Sequence, residues 1–548
     1  MITKVGQGVA GAALLIGAVT IVARIVGFGR YLVQSETVGN LCLSTAYNTA
    51  NYVPNIVFEL VAGGALAGMV VPVLASAASR ADSDPEARAE VGRTTSALLT
   101  WVMLALVPLT LLIVAFAGPI VTLLIGDPGN CGPAQVVEVG MGMLVVFAPR
   151  MIFFGLAVVL YGVLQAHRRF MGPALAPLVS SLLIVASYLV FEQVGDGAAA
   201  DLANLTTPGQ LALSLGATVA AAAMVLTVIG PVSRLRLRLR PSFSFPPGVA
   251  AQARRLATAG IAVLITQQIA LIVVVRLAND LGGAGAAGVY TYSWALYQLP
   301  FAVLVVPIAT SSFPVLATRA AEGDLAGFDS LTSSTTRVIL LVTGLAAGVM
   351  AAVAVPVSRV FLEGTPGGEP GEMARAVMLF APGLVGYALL LHLARILYAC
   401  GRGRSAAAAS VAGWGVALVA QILLAHAADR PVDVVGQLAL GSTIGMTVGG
   451  ILLIFAVFKA RGATALEGAW RALLAAVAGG VAAWGAGLGV TTALGEVSRW
   501  ECVAVGVAAA VVGAVVFAAV AIMIDRADAQ ALLARLRRVP TPRKEPFR

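Results

Sequence analysis

Five arginines stand inside apolar stretches of this chain: Arg24, Arg30, Arg150, Arg276 and Arg395. A charge near the centre of a bilayer costs about 2.5–3.5 kcal/mol on insertion scales, so each such residue calls for a partner or a ligand. Arg24 and Arg30 fall in the outer half of the first stretch, Arg150 near the middle of the fourth and Arg276 at the outer end of the seventh. Arg395 lies close enough to the inner end of the tenth to snorkel to lipid phosphates. On the second stretch Ser44, Asn48, Asn51, Asn55 and Glu59 follow one another at spacings of 4, 3, 4 and 4, which puts all five on one helical face. The seventh and eighth add Gln267, Gln268, Tyr290, Trp294, Tyr297 and Gln298. These residue types describe a water-accessible cavity, cationic in its outer half and at its midplane. Arginine suits phosphate there, because its planar fork binds two oxygens at once. A plainer reading stands beside this one: Asn and Gln in spans often only bond neighbouring helices, and Arg30 and Arg276 fall near the headgroup boundary. Arg276 can also pair with Asp280 one turn on. Glu59 reads as a partner for one of these arginines ahead of a protonatable coupling site.

The elements that must hold these groups are membrane helices. The 548 residues are 59% hydrophobic and only 11% charged, with a mean hydropathy of +0.94, whereas soluble domains carry about a quarter charged residues. A soluble enzyme is excluded. Apolar stretches fall at 9–29, 43–78, 94–125, 137–165, 173–191, 209–232, 256–278, 285–315, 338–358, 376–399, 405–425, 434–458, 472–492 and 501–524, fourteen candidate spans by the criterion of about 20 apolar residues. The first contains Arg24 and runs on, so it reads as a span and not as a cleaved leader. The second, third and eighth are long and hold Pro54 and Pro72, Pro108 and Pro119, and Pro300 and Pro307, which predicts bent or tilted helices.

Three isolated histidines (His167, His392, His426) and four cysteines offer no metal or nucleophile constellation. No phosphate-binding loop of the G-x-x-x-x-G-K-[ST] type occurs, so no ATPase in this chain powers transport, and no cofactor is called for. Cys42 and Cys131 both map to outer loops; a disulfide and two separate thiols are equally compatible with that placement.

Lys and Arg alternate between loops. One set, on the side of the N-terminus, carries 26, including Arg88, Arg168, Arg169, Arg234, Arg236, Arg402 and Arg404; the other holds only Arg359, Arg375, Arg430 and Arg499. The positive-inside rule then sets an even number of spans with both termini cytoplasmic. It also absorbs most of the net charge of +9, with no need to invoke nucleic acid. The tail includes A-L-L-A-R-L-R-R (Ala531 to Arg538), a short basic amphipathic stretch suited to an anionic leaflet or simply solvated.

An internal repeat is visible. A-Y-N-T-A-N-Y-V-P-N followed by V-V-P-V-L-A resembles V-Y-T-Y-S-W-A-L-Y-Q-L-P followed by S-F-P-V-L-A, and Arg30 precedes Pro54 by the same 24 residues that separate Arg276 from Pro300. An offset of six spans preserves orientation, so the halves are expected as parallel repeats. The organisation that follows is an all-α membrane protein: a six-helix lobe with a basic linker at 1–240, a second six-helix lobe at 241–462, two further helices at 463–524 and a basic tail at 525–548.

The stretch A-R-I-V-G-F-G-R (Ala23 to Arg30), then T-A-Y-N-T-A-N-Y-V-P-N (Thr45 to Asn55), then A-G-G-A-L-A-G-M-V-V-P-V-L (Ala62 to Leu74) resembles the amino-terminal signature of the MurJ/MviN family of lipid II flippases. That family lies within the multidrug/oligosaccharidyl-lipid/polysaccharide exporter superfamily. The resemblance implies movement of an undecaprenyl-diphosphate-linked glycan, lipid II, from the inner to the outer leaflet of the bacterial cytoplasmic membrane by alternating access. Membrane potential or an ion gradient would drive it, the lipid tail lying in a groove lined by spans 13 and 14. It implies that Arg24 and Arg30 meet the diphosphate, and that membrane lipids and cell-wall synthesis proteins are partners. The pattern has departures. The acid usual after the second arginine is Tyr31, an acid at the start of span 2 is Thr45, basic residues after the P-N pair are Phe58 and Glu59, and a span-8 arginine is Ala295. Three readings follow: Arg150 and Arg276 compensate, the cargo is another lipid-linked saccharide or a drug, or the chain is an inactive scaffold of the cell-wall machinery. High Ala, Gly and Arg with little Lys fits a high-GC bacterium such as an actinobacterium.

Overall fold

The computed structural model describes residues 2–61, 67–195, 197–199, 201–245, 249–495 and 497–526, and every regular element among them is helical. The tail stretch 531–538 and residues 62–66 of the third signature block lie outside the described residues. Contacts divide the chain into two compact units.

The first unit comprises Met1–Ala295, Phe361–Glu369 and Ile422–Leu438. Its helices are α1 (Ile2–Thr37), α2 (Cys42–Phe58), α3 (Ala67–Ala78), α4 (Pro85–Ala115), α5 (Ala117–Ile125), α6 (Pro133–Phe147), α7 (Arg150–Ala166), α8 (Met171–Val194), α9 (Thr207–Ser233), α10 (Val249–Leu281) and most of α11 (Ala286–Pro300). Helix starts are marked by local chemistry: Asp84 accepts from the backbone of Glu86 at 2.8 Å ahead of Pro85, and Thr206 accepts from Gly209 at 3.1 Å ahead of Pro208. Helix α1 packs on α8, α2 on α6, and α7 on α4 and α9. Cys42 and Cys131 form a disulfide, which ties the start of α2 to the loop before α6.

The second unit comprises Leu296–Val360, Pro370–Gln421 and Ala439–Arg548. It holds α12 (Val306–Glu322), α13 (Leu325–Ala352), most of α14 (Ala354–Leu362), α15 (Pro370–Phe380), α16 (Gly383–Ala399), most of α17 (Gly403–His426), the larger part of α18 (Pro431–Arg461), α19 (Ala469–Leu494) and α20 (Glu501–Ile524). Small residues let these helices approach closely. A methyl group added at Gly344 would sit 2.5 Å from Cβ of Ala476, and one at Gly348 2.8 Å from Cα of Gly480, so α13 and α19 meet almost backbone to backbone. Much of the glycine content has this purpose.

Eleven helices among the described residues are long and apolar enough to cross a membrane, or twelve with α15 and α16, bent 45° apart, counted as one. Among the described residues this count stays below the fourteen expected spans. Stretch 9–29 lies within α1, and stretch 43–78 is split between α2, only 17 residues long and carrying the polar stripe, and α3. The proline-rich stretches are interrupted as expected: α4 gives way to α5 at Phe116, three residues before Pro119, and a wide π-type turn spans Phe301–Val305 between Pro300 and Pro307. Two further breaks were not anticipated, at Ala148–Pro149 and at Ala381–Pro382. Leu15, Ile25, Leu111, Leu123, Leu226, Val477 and Met523 are among many large apolar side chains left exposed, the surface a hydrocarbon environment requires.

Candidate substrate-binding site

The break at Pro149 makes Arg150 the first residue of α7, with its side chain only 5% exposed. Its guanidinium donates to Oδ1 of Asn51 on α2 and lies 5.2 and 5.4 Å from the ring centres of Phe147 and Phe154. Its Nε, also buried, has no hydrogen-bond partner. Two turns before the end of α1, the Arg30 guanidinium donates to the Tyr31 hydroxyl at 3.1 Å and lies 4.9 Å from that ring's centre. A chain of neutral groups lies beside the two arginines: Gln34 donates to Asn48 at 3.0 Å, Asn48 to the Ser44 carbonyl and hydroxyl at 2.9 and 3.0 Å, Tyr188 to Gln34 at 3.2 Å, and the Tyr47 and Tyr188 hydroxyls are 3.0 Å apart.

Arg30 and Arg150 share the electrostatic neighbourhood of Tyr47 and Tyr188, and each adds to the positive potential at the other. Among the described residues neither meets a carboxylate. Two partly or wholly buried like charges with no acid between them form an arrangement that an anion stabilises, and their forks fit diphosphate oxygens. Tyr31 contributes directly: where the resembled family places an acid, this chain places a phenol, which orients Arg30 without neutralising it.

The remaining expected residues divide. Asn48 and Asn51 join the network, while Asn55 is half-buried further along the same face with no side-chain hydrogen bond among the described residues. Arg24 is exposed and makes no such contact; six residues turn it about 120° away from Arg30 around the helix. Arg276 is held by Asp280 at 3.3 Å, beside Gly126, the cap of α5. Asp280 in turn accepts from the backbone of Asp127 at 2.8 Å, so this is a structural junction. The expected pairing of Glu59 with an arginine is corrected: it is exposed at the end of α2 and makes no ion pair among the described residues. Gln298 belongs to the second unit, half-buried beside Tyr297, which stacks on Phe380 and Tyr387. Tyr290 and Trp294 stack in the first unit with ring centres 6.3 Å apart. Three network members went unnoticed in the sequence. Gln34 had a signal, one turn after Arg30; Tyr47 adjoins the asparagine face; Tyr188, on α8, had none.

Apolar helices long enough to cross a membrane, with two arginines among them that meet no carboxylate among the described residues, define a multi-pass membrane protein. The family model "Lipid II flippase MurJ" matches residues 35–531. The chain belongs to the MurJ family of lipid II flippases, transporters and not enzymes. It is similar to the lipid II flippase MurJ of Burkholderia cenocepacia, 25% identical over 393 residues that cover 71% of this chain and 73% of that protein. The probable lipid II flippase MurJ of Rhizobium meliloti is 25% identical over 64% of this chain and 62% of its own. Among solved structures, a lipid II flippase MurJ in an inward closed conformation superposes with a TM-score of 0.72 at 15% identity, over 93% of this chain and 99% of that one. An inward-facing conformation of a multidrug resistance MATE family transporter superposes with a TM-score of 0.63 at 13% identity, over 81% of this chain and 95% of that one, which shows a like fold.

Proposed function

We propose that Arg30 and Arg150 receive the diphosphate of lipid II, with Asn48, Asn51 and the Tyr47–Tyr188 pair holding the chamber polar around it, and that the chain carries this cargo from inner to outer leaflet by alternating access. One observation carries the reading: Arg30 and Arg150 share the neighbourhood of Tyr47 and Tyr188, and neither meets a carboxylate among the described residues. An apolar drug would need neither charge. Arg24, exposed on α1 nearer its start, is placed to meet the cargo outside the chamber, and Arg276 serves the helix junction. The repeat supports a division at about residues 240 and 462 into two lobes and a terminal pair. The 26-to-4 asymmetry of loop cations supports cytoplasmic termini in the bacterial inner membrane, so that product emerges where cell-wall synthesis proteins would take it up.

The test is complementation in a strain depleted of its own flippase, combined with a leaflet-accessibility assay for lipid II. Wild type is expected to restore outer-leaflet lipid II, and Arg30→Ala with Arg150→Ala to abolish that. Undiminished rescue by the double variant sinks the diphosphate-binding role; failure of the wild-type chain favours another cargo or a scaffold.

A further inference from the structure

A second cationic site lies within the first unit, in turns remote from the chamber residues in sequence. Three segments distant from one another in sequence converge on a cavity of about 220 Å³: the α3–α4 turn brings Asp82 and the first turn of α4 Arg88, the α7–α8 turn His167 and Arg169, and the segment after α9 Arg234 and Arg236. At about 30 Å³ per water, the space holds a phosphate group with the water around it.

The positive-inside rule explains why arginines occur in these loops. It does not explain why four of them gather around one cavity. Arg88 is anchored, donating to the carbonyls of Ala81 at 3.0 Å and Asp82 at 3.2 Å, which fixes one wall. His167 is committed through Nδ1 to the Val163 carbonyl at 2.8 Å. Arg169, Arg234 and Arg236 are exposed, and none of the four arginines makes an ion pair among the described residues, although Asp82 is also in the lining. The backbone is built to the same end. Arg168 and Arg236 are the non-glycine residues with positive φ among the described residues, at 57° and 52°. At Arg168 the left-handed turn closes α7 through the Arg169 amide on the Leu164 carbonyl at 2.8 Å, a helix ending that normally employs glycine. Arginine occupies both positions, and Arg236 and the neighbouring Arg169 reach the cavity as a result.

We infer that this cavity binds a phosphate-bearing anion, supplied as a phospholipid headgroup or as free phosphate. On the orientation proposed above, it opens at the cytoplasmic end of the first lobe. Three exposed, unpaired guanidiniums line one open cleft, and a phosphate there can accept from several of their planar forks at once.

The experiment uses the purified full-length chain. Retention of phosphatidylglycerol against phosphatidylcholine is read by native mass spectrometry, and inorganic phosphate is titrated by calorimetry. Three triple variants are compared with wild type: Arg169→Gln/Arg234→Gln/Arg236→Gln; the same positions changed to Lys, which keeps the charge that orients the protein; and Arg402→Gln/Arg404→Gln/Lys459→Gln, which removes equal charge elsewhere. Expected are a loss of at least about tenfold in affinity for the Gln triple, about threefold for the Lys triple and less than about twofold for the distant triple. Binding of phosphatidylglycerol alone identifies a headgroup site, whereas binding of free phosphate at matching affinity identifies a soluble anion. The inference is overturned if wild type binds neither probe, if the Gln triple stays within twofold of wild type, or if the distant triple loses as much.

Discussion

Arg150 donates to the side-chain oxygen of Asn51 across the gap between α7 and α2, and its Nε remains without a partner in a buried setting. The guanidinium is thus aimed by one neutral acceptor and left with unused donors. Arg150→Ala is expected to lower outer-leaflet appearance of lipid II by at least about tenfold, Arg150→Lys by less, and Asn51→Ala by about threefold, because it removes the aiming contact but not the charge. Flipping measured in reconstituted vesicles checks the order; Asn51→Ala exceeding Arg150→Ala would contradict it.

Asp280→Asn provides a contrast. Its partner Arg276 is 37% exposed and Asp280 29%, so the pair contributes less than about 1 kcal/mol. A fall of that size in thermal stability is expected, with flipping within twofold of wild type. A severe transport defect would return Arg276 to the cargo path.

Tyr188→Phe deletes a hydroxyl that bridges Tyr47 and Gln34 while preserving the ring that packs on Tyr47. Loss of about 1 kcal/mol of stability is expected. Unfolding followed in detergent measures it, and an unchanged midpoint would show that water replaces the hydroxyl without cost.

Much of this chamber could be read from residue types and spacing. Arginines in apolar runs, and Ser44, Asn48, Asn51 and Asn55 at spacings of 4, 3 and 4, are visible because a span tolerates polar groups poorly and a helix repeats every 3.6 residues. Tyr188 stayed hidden, since it meets Tyr47 across 141 residues and a tyrosine in an apolar run looks like core. The Arg276–Asp280 pair was legible from its i,i+4 spacing, but only packing beside Gly126 decided that it is a junction. The Cys42–Cys131 bond remained open for the same reason: spacing alone does not bring two Cα atoms to 5.6 Å. Glu59 misled because spacing shows only that it shares the stripe: α2 passes into a π-type turn at 59–61, and no arginine meets Glu59 there among the described residues.

Gly348→Val on α13 is expected to destabilise the second unit by about 1–3 kcal/mol, since there is no volume for a branched side chain against Gly480 and Ala483. Gly415→Ala, which faces open space, is the matched control and should be neutral or mildly stabilising. Equal behaviour of the two would mean that α13 and α19 separate more easily than their contact implies.

Alkylation before reduction should modify only Cys400 and Cys502 once the chain is unfolded, and all four cysteines after reduction. Cys42→Ser/Cys131→Ser removes a link across 89 residues, worth up to about 4–5 kcal/mol in the chain-entropy account. A lowered unfolding midpoint is the readout.

Pro149 has one more consequence. It has no amide hydrogen to return to the Val145 carbonyl, and the neighbouring Val146 carbonyl accepts from the Thr218 hydroxyl at 2.7 Å. The hydrogen-bond ladder of the fourth stretch is therefore interrupted between α6 and α7, and Arg150 is the first residue past the break. On the function proposed above, a small change of angle between α6 and α7 at this break alters where the Arg150 guanidinium reaches without any helix having to unwind.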